Sequence, residues 1–96
     1  MLQEKPIRWN TEKNISLKAL RKVSFEEILS AIAHGGLLKT FTHPNAQKYP
    51  NQQVWAVLHK AYVYLIPFVE NEAEVFLKTI VPSRKMTKLL LQRDPE

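Results

Sequence analysis

The only two glycines of this 96-residue chain, Gly35 and Gly36, mark a change in its hydrophobic period. Before them, the segment "VSFEEILSAIAHGG" places its apolar residues at helical spacing. After them, the runs "LLKTFT", "QVWAVLH" and "YVYLIPFVE" are rich in the β-branched and aromatic residues that favour strands. The chain therefore combines a helical part with a strand-rich part, as an α+β fold does.

Two helices are predicted in the first part from the signals at their ends. Asn10 or Thr11 can cap a first helix that runs to about Lys22. The second helix begins with a capping box formed by Ser24 and Glu27, and the glycine pair ends it.

A short first strand, "PIRW", precedes the helices, and four strands are predicted after them, over residues 37–42, 53–59, 62–70 and 74–81. The last three should form an antiparallel meander. Pro67 lies inside one of them, where it removes a ladder hydrogen bond, so we expect a bulge or a sheet edge there. Ser83 caps a final helix that ends near Gln92.

The predicted order is β-α-α-β-β-β-β followed by a C-terminal helix, in one α+β domain over residues 1–96. We expect the helices to pack on one face of a mostly antiparallel, twisted sheet and to leave the other face partly open. Hydrophobic residues make up 45% of the chain and charged residues 24%, which is ordinary for a folded domain. Cysteine is absent, so packing must hold the fold without disulfides.

The N-terminus carries Glu4, Lys5 and Arg8 and lacks an apolar core, and no run reaches the roughly 18 apolar residues of a membrane span. We therefore expect no signal peptide and no membrane association. The absence of cysteine suits a reducing cytoplasm, which is the predicted location.

The stretch "TIVPSRKMTK" ends an apolar run with a cationic helix start. With Ser83 as N-cap, the free backbone amides of the first turn face an incoming anion, and Arg84, Lys85 and Lys78 add positive side chains. Cations oppose the helix dipole there and cost a few tenths of a kcal/mol each, roughly, so stability alone would favour acidic residues. A net charge of +5 adds a general attraction for polyanions. This pattern predicts a phosphate site.

The loop "HPNAQKYPNQ" is longer than a hairpin needs and contains His43 and Tyr49. An imidazole titrates near neutral pH, so His43 is a candidate proton carrier, with Tyr49 as a second candidate. The alternative is that both residues only build and anchor the loop. His34, at a helix end, and His59, at a hairpin end, are expected to be structural or simply exposed.

Other classes of site are disfavoured by the sequence. The two glycines form no phosphate-binding loop, and the three histidines lack the spacing of metal ligands. No serine lies in the glycine-flanked elbow of a hydrolase. We therefore predict no metal and no cofactor, and we expect Trp9 and Trp55 to pack in the core rather than stack on bases.

Three segments together resemble a known family. "IRWNTEKN", "VSFEEIL" and "IVPSRKMTK" occur in the order found in BrnT-like toxins, which are small bacterial ribonuclease toxins with a RelE-like fold, and the resemblance covers residues 7–88. It implies a type II toxin that cleaves RNA and forms a hetero-oligomer with a DNA-binding antitoxin encoded beside it. It assigns Ser83, Arg84 and Lys85 to the site, and it adds Lys13 through the "W-x-x-x-K" spacing.

The sequence departs from the family pattern before "VSFEEIL", where the family commonly has Lys-His-Gly. Leu20, Arg21 and Lys22 occupy those positions here, so the family histidine is absent. If that imidazole takes part in the chemistry, this chain either uses another group, such as His43, or cleaves poorly. Lys22 and Lys88 complete the cations predicted to bind substrate.

The leading interpretation is metal-independent RNA cleavage, in which the 2′-hydroxyl of the substrate attacks the neighbouring phosphorus. Two alternatives stay open. One is an RNA-binding or regulatory module without catalysis. The other is an interaction domain that docks a protein partner through the last helix, on the apolar residues Met86, Leu89, Leu90 and Leu91.

Overall fold

A computed structural model describes residues 5–92 of the chain, with three helices and six strands in that range. The helices are α1 (Thr11–Arg21), α2 (Phe25–Ala33) and α3 (Arg84–Leu91). The strands are β1 (Ile7–Trp9), β2 (Leu37–Thr42), β3 (Gln52–His59), β4 (Tyr62–Glu70), β5 (Val75–Leu77) and β6 (Val81–Pro82). None of the helices in residues 5–92 is long and apolar enough to cross a membrane.

All six strands belong to one sheet with the order β1-β5-β4-β3-β2, and β6 also pairs with β4. Because β3 pairs with β4 along its whole length, β5 and β6 share the opposite edge of β4. The β1–β5 pairing is parallel and the other pairings are antiparallel. The predicted α+β class and mostly antiparallel sheet are therefore confirmed.

The predicted strand over residues 74–81 is interrupted, and Pro67 gives the physical reason. Pro67 pairs in register with Val54, so the expected bulge and the expected sheet edge at Pro67 are both wrong. Its carbonyl oxygen accepts the Lys78 N–H at 2.8 Å. In an extended residue the backbone N and C=O point to the same side of the strand. The N of Pro67 therefore faces the segment between β5 and β6, as its carbonyl does, and it carries no N–H to donate there. The break between β5 and β6 therefore lies opposite Pro67, which cannot donate a ladder hydrogen bond.

The helix ends lie close to where the sequence placed them, because each is set by local hydrogen bonds. Asn10, Ser24 and Ser83 each occupy an N-cap and accept a backbone N–H three residues later. At Ser24 the reciprocal half of the capping box is also present. Left-handed residues, Lys22 and Gln92, end α1 and α3.

The core lies between one face of the sheet and the pair α1 and α2. Its buried residues are Leu17, Val23, Phe25, Ile28, Val57, Ile66, Phe68, Val75, Leu77 and Ile80. Trp9 stacks on Phe25 with ring centroids 5.4 Å apart, and Trp55 packs on Phe68 at 4.6 Å. Both tryptophans thus pack against the core, as expected.

Helix α3 contributes no residue to this core cluster within residues 5–92, so the expectation that the helices share one face holds only for α1 and α2. Instead α3 is hydrogen-bonded to the edge of β4. The Val63 N–H donates to Thr87 Oγ1 at 2.9 Å, and the Ser83 N–H donates to the Val63 carbonyl at 2.9 Å. Thr87 is fully buried. These bonds hold the first turn of α3 in place.

Candidate nucleic-acid interface

The first turn of α3 presents two cations to solvent. Arg84 and Lys85 are exposed and follow the N-cap Ser83, and the turn has no acidic residue. Neither cation lies within 4.0 Å of a carboxylate in the part of the chain from residue 5 to residue 92. The Met86 N–H is bonded to Ser83 Oγ, so the predicted phosphate-binding side chains sit beside the Arg84 and Lys85 amides, with their charge uncompensated in that range.

Two further predicted cations, Lys13 and Lys78, meet at an open groove between the start of α1 and β5. The groove has a volume of about 620 Å³. Its lining residues are Asn10, Glu12, Lys13, Ser16, Phe76 and Lys78. The ammonium nitrogen of Lys78 lies 5.4 Å from the ring centroid of Phe76. Phe76 is a site candidate that the sequence reading missed, because its strand pattern alone indicated packing.

The far end of α1 is connected to the same edge of the sheet. The Arg21 guanidinium donates a hydrogen bond to the carbonyl of Ile80, in the segment between β5 and β6. Helix α1 therefore begins beside Phe76 and ends beside Ile80, and α3 starts directly after β6. We call the cations gathered along this border the basic edge. Its members are Lys13, Arg21, Lys78, Arg84 and Lys85.

The remaining predicted cations lie next to the basic edge in the chain. Lys22 is exposed at the C-cap of α1, directly after Arg21. Lys88 is exposed on α3 four residues after Arg84, a spacing that places two side chains on the same side of a helix.

The two candidate proton carriers also meet each other. The rings of His43 and Tyr49 have centroids 4.5 Å apart, and both residues are half-buried. His43 Nδ1 accepts the Asn45 backbone N–H at 3.0 Å, so the neutral ring carries its proton on Nε2. The ammonium nitrogen of Lys48 lies 5.4 Å from the Tyr49 ring centroid. The loop thus brings an imidazole, a phenol and a cation together.

The loop and the start of α3 lie at opposite corners of the sheet. The His43 N–H bonds to Gln52, at the start of β3, whereas the Ser83 N–H bonds to Val63, near the other end of β4. Gln52 is paired with Val69, six residues along β4 from Val63, and three strand spacings separate β2 from β6. At about 3.3 Å per residue and 4.8 Å per strand, the two places are roughly 25 Å apart. One phosphate cannot contact both groups.

A second titratable cluster lies under the β3–β4 hairpin, around His59. The sequence predicted that His59 is structural or exposed. Its Nε2 atom is buried, forms no hydrogen bond with residues 5–92, and lies 3.8 Å from Glu27 Oε1. The His59 ring centroid lies 6.0 Å from that of Tyr64. Burial raises the pKa of the Tyr64 hydroxyl, and the neighbouring Tyr62 and Glu27 charges act in the same direction. His34, by contrast, is an exposed helix C-cap, as expected.

No group of three or more His, Asp or Glu side chains suited to a metal ion occurs between residues 5 and 92. Comparison with protein-family models, with curated proteins and with solved structures finds no match. The resemblance to BrnT-like toxins, and the RelE-like topology that it implies, therefore stay predictions. The described chain is a small α+β fold with a cation-rich border.

Proposed function

We propose that this chain binds single-stranded RNA through the basic edge and cleaves it without a metal, as the toxin of a type II toxin–antitoxin pair. The observation that carries the proposal is the start of α3. Two exposed cations, Arg84 and Lys85, stand at a capped helix N-terminus with no carboxylate of residues 5–92 within 4.0 Å. Such a turn attracts an anion through its amides and its side chains together.

The polymer nature of RNA accounts for the spread of the cations. A single phosphate would need one compact cluster, whereas a strand can contact the α3 start, the Lys13–Lys78 groove and the His43 loop in succession. Single-strand sites commonly cover roughly 4 to 16 nucleotides, which is long enough for this span. The half-buried Phe76 ring beside Lys78 offers a surface on which a base can stack.

Cleavage is assigned to the loop, where the proton carrier lies. The 2′-oxygen forms a bond to phosphorus, the bond from phosphorus to the 5′-oxygen breaks, and the products are a cyclic phosphate and a 5′-hydroxyl. We propose that His43 Nε2 takes the 2′-hydroxyl proton and that the resulting imidazolium returns a proton to the leaving 5′-oxygen. This requires the tautomer with the proton on Nδ1, so the Asn45 N–H contact to Nδ1 must open first. Lys48, whose ammonium nitrogen lies beside the Tyr49 ring, is the proposed cation for the phosphoryl oxygens.

The binding step is tested with the double variant R84A/K85A and a defined single-stranded RNA. We expect at least tenfold weaker binding of the RNA. The slope of log K against log[salt] should become shallower by about 1.4, because each phosphate contact on a single strand contributes roughly 0.7 to that slope. The thermal midpoint should stay nearly unchanged, since both side chains are exposed. Lys39→Gln, on exposed β2, is the matched control and should leave binding unaltered. An unchanged salt dependence in R84A/K85A would contradict the proposal.

The cleavage step is tested by incubating the purified chain with that RNA and a chelator. Fragments with cyclic phosphate ends are expected from the unaltered chain, and H43A should lower their rate by roughly 10²-fold or more. Equal rates in H43A and the unaltered chain would remove His43 from the chemistry.

A second candidate function, RNA binding without catalysis, is favoured by the distance between the loop and the α3 start. If the RNA is bound with the expected salt dependence and no fragments form, this second function replaces the first.

The antitoxin partner belongs to the same proposal. Leu89 on α3 is 57% exposed, whereas Met86 and Leu90 are half-buried. A partner that covers Leu89 would also cover the cations of the first turn of α3, and RNA binding would stop. Co-purification with the product of an adjacent reading frame, followed by the RNA-binding assay, tests this arrangement.

A further inference from the structure

A polar pocket lies at the end of β3 and β4, directly beside the His43 loop. Its volume is about 540 Å³. Six polar residues line it, four of them carboxamides: Thr42, Asn51, Gln52, Gln53, Glu70 and Asn71. The sequence reading treated these residues only as loop and strand ends.

The carboxamides of this pocket have unused hydrogen-bonding capacity. The side chains of Asn51, Gln52 and Gln53 form no hydrogen bond with any residue between 5 and 92. Asn71 uses its Oδ1 to accept the Ala73 N–H at 2.7 Å, so its NH₂ group remains for a ligand. The amides of Asn51, Gln52 and Gln53 therefore each offer a donor and an acceptor side by side, and Asn71 adds a donor.

The electrostatics exclude an anion as the ligand. Glu70 is the only charged residue among those that line the pocket, and Lys5 pairs with it at 2.7 Å. The pocket therefore holds no uncompensated cation that a phosphate or carboxylate would require. A neutral molecule with adjacent donors and acceptors fits this lining better.

Two residues that line the pocket are chain neighbours of an aromatic pair. Thr42 precedes His43 in the chain, and Pro50, which also lines the pocket, follows Tyr49. The His43 and Tyr49 rings, 4.5 Å apart, offer ring faces next to the pocket lining on which a planar ligand can stack. Lys48 can contact a phosphate attached to that ligand from outside the pocket.

We propose that this pocket binds an unpaired nucleobase, and that it thereby positions the RNA strand for cleavage at the His43 loop; this inference rests on the proposed function. Carboxamides match the adjacent donor and acceptor of a base edge, and proteins read unpaired RNA bases through such contacts combined with stacking. The pocket reads the base, and the basic edge holds the backbone.

The test compares an RNA oligonucleotide with an abasic oligonucleotide of the same length, which carries the same phosphates. We expect the full chain to prefer the base-bearing strand by about tenfold, the value of one good bidentate contact. The variant N51A/Q53A should lose most of this preference and keep only the part that base stacking on aromatic rings contributes. Gln47→Ala, in the same loop but outside the pocket, is the matched control and should keep the preference.

The outcomes separate this inference from the proposed function. If R84A/K85A weakens binding of both strands while N51A/Q53A keeps the base preference, the basic edge stands and the pocket proposal is overturned. If neither strand binds, the proposed function fails, and NMR titration with the four free nucleosides then decides on the pocket alone. Shifts of the Gln52 and Gln53 side-chain amides support the pocket, and unshifted amides overturn it.

Discussion

Helices α2 and α3 begin with the same cap and with opposite charges. Ser24 and Ser83 each accept a backbone N–H from the third residue of their helix, at 3.1 Å in both cases. The first turn of α2 contains two glutamates, whereas the first turn of α3 contains Arg84 and Lys85 and no acid. The backbone geometry is shared, so the difference lies in what each helix start contacts.

The acidic side chains at the start of α2 form hydrogen bonds within the protein. Glu27 accepts the Ser24 N–H at 3.2 Å, and Glu26 accepts the Asn14 side-chain amide at 2.8 Å. The side-chain oxygen Oδ1 of Asn14 in turn accepts the buried Phe25 backbone N–H at 2.8 Å, and this hydrogen bond joins α1 to α2. Acids at this end also suit the helix dipole. This helix start is built for stability.

The start of α3 is left open on its charged side. Its cations oppose the dipole and contact no carboxylate within 4.0 Å in residues 5–92. The hydrogen bonds through Thr87 and Val63 offset this cost by holding the helix to β4. A firmly held helix start with unfavourable positive charge is expected where that charge binds an external anion.

The largest difference between the two helices should appear on deletion of an apolar side chain. Phe25→Ala removes a ring with no solvent exposure that stacks on Trp9, and we expect it to lower the free energy of unfolding by about 3–5 kcal/mol. Leu89→Ala on exposed α3 should change it by less than about 0.5 kcal/mol. Chemical denaturation measures both. A loss at Leu89 comparable with that at Phe25 would show that α3 also belongs to a core.

An intermediate difference is expected from the caps. Ser24→Ala removes the Oγ that accepts the Glu27 N–H at a buried N-cap and should cost about 1–2 kcal/mol, whereas Ser83→Ala, at a half-buried N-cap, should cost about 0.5–1 kcal/mol. Thermal unfolding of the two variants gives the order. Ser30→Ala, an exposed serine inside α2, is the control that reports helix propensity without a cap. Equal losses at both caps would mean that the burial of Ser24 adds nothing to the strength of its cap.

The smallest effect concerns pH. The hydrogen bond from Asn14 lowers the pKa of Glu26 below its ordinary value. A lowered folded-state pKa stabilises the protein above the unfolded pKa, and this contribution is lost as pH falls through the folded pKa. We expect part of the stability loss below about pH 4 to disappear in Glu26→Gln. Denaturation curves from pH 3 to 7 test this, with exposed Glu72→Gln as the control. Parallel curves for Glu26→Gln and the unaltered chain would refute the assignment.

Local signals account for most of what could be predicted about the fold. These signals are N-caps, capping boxes and the change of hydrophobic period at the glycine pair. They act over three or four residues, so they can be recognised from the sequence alone. The pairing of neighbouring strands β3 and β4 followed from a tight turn for the same reason. The cations at the start of α3 could be found because their charge contradicts the helix dipole at a position that the cap defines.

The sequence by itself thus determined the class of fold, the helix starts and the identity of the candidate charges. Only the tertiary structure decided that Pro67 splits the last strand in two, that Lys13 and Lys78 line one groove, and that the His43 loop lies roughly 25 Å from the α3 start. The physical reason is the distance along the chain over which each interaction acts. A cap is satisfied within one turn, whereas the position of a side chain across a sheet depends on strand order and register, which long-range packing sets.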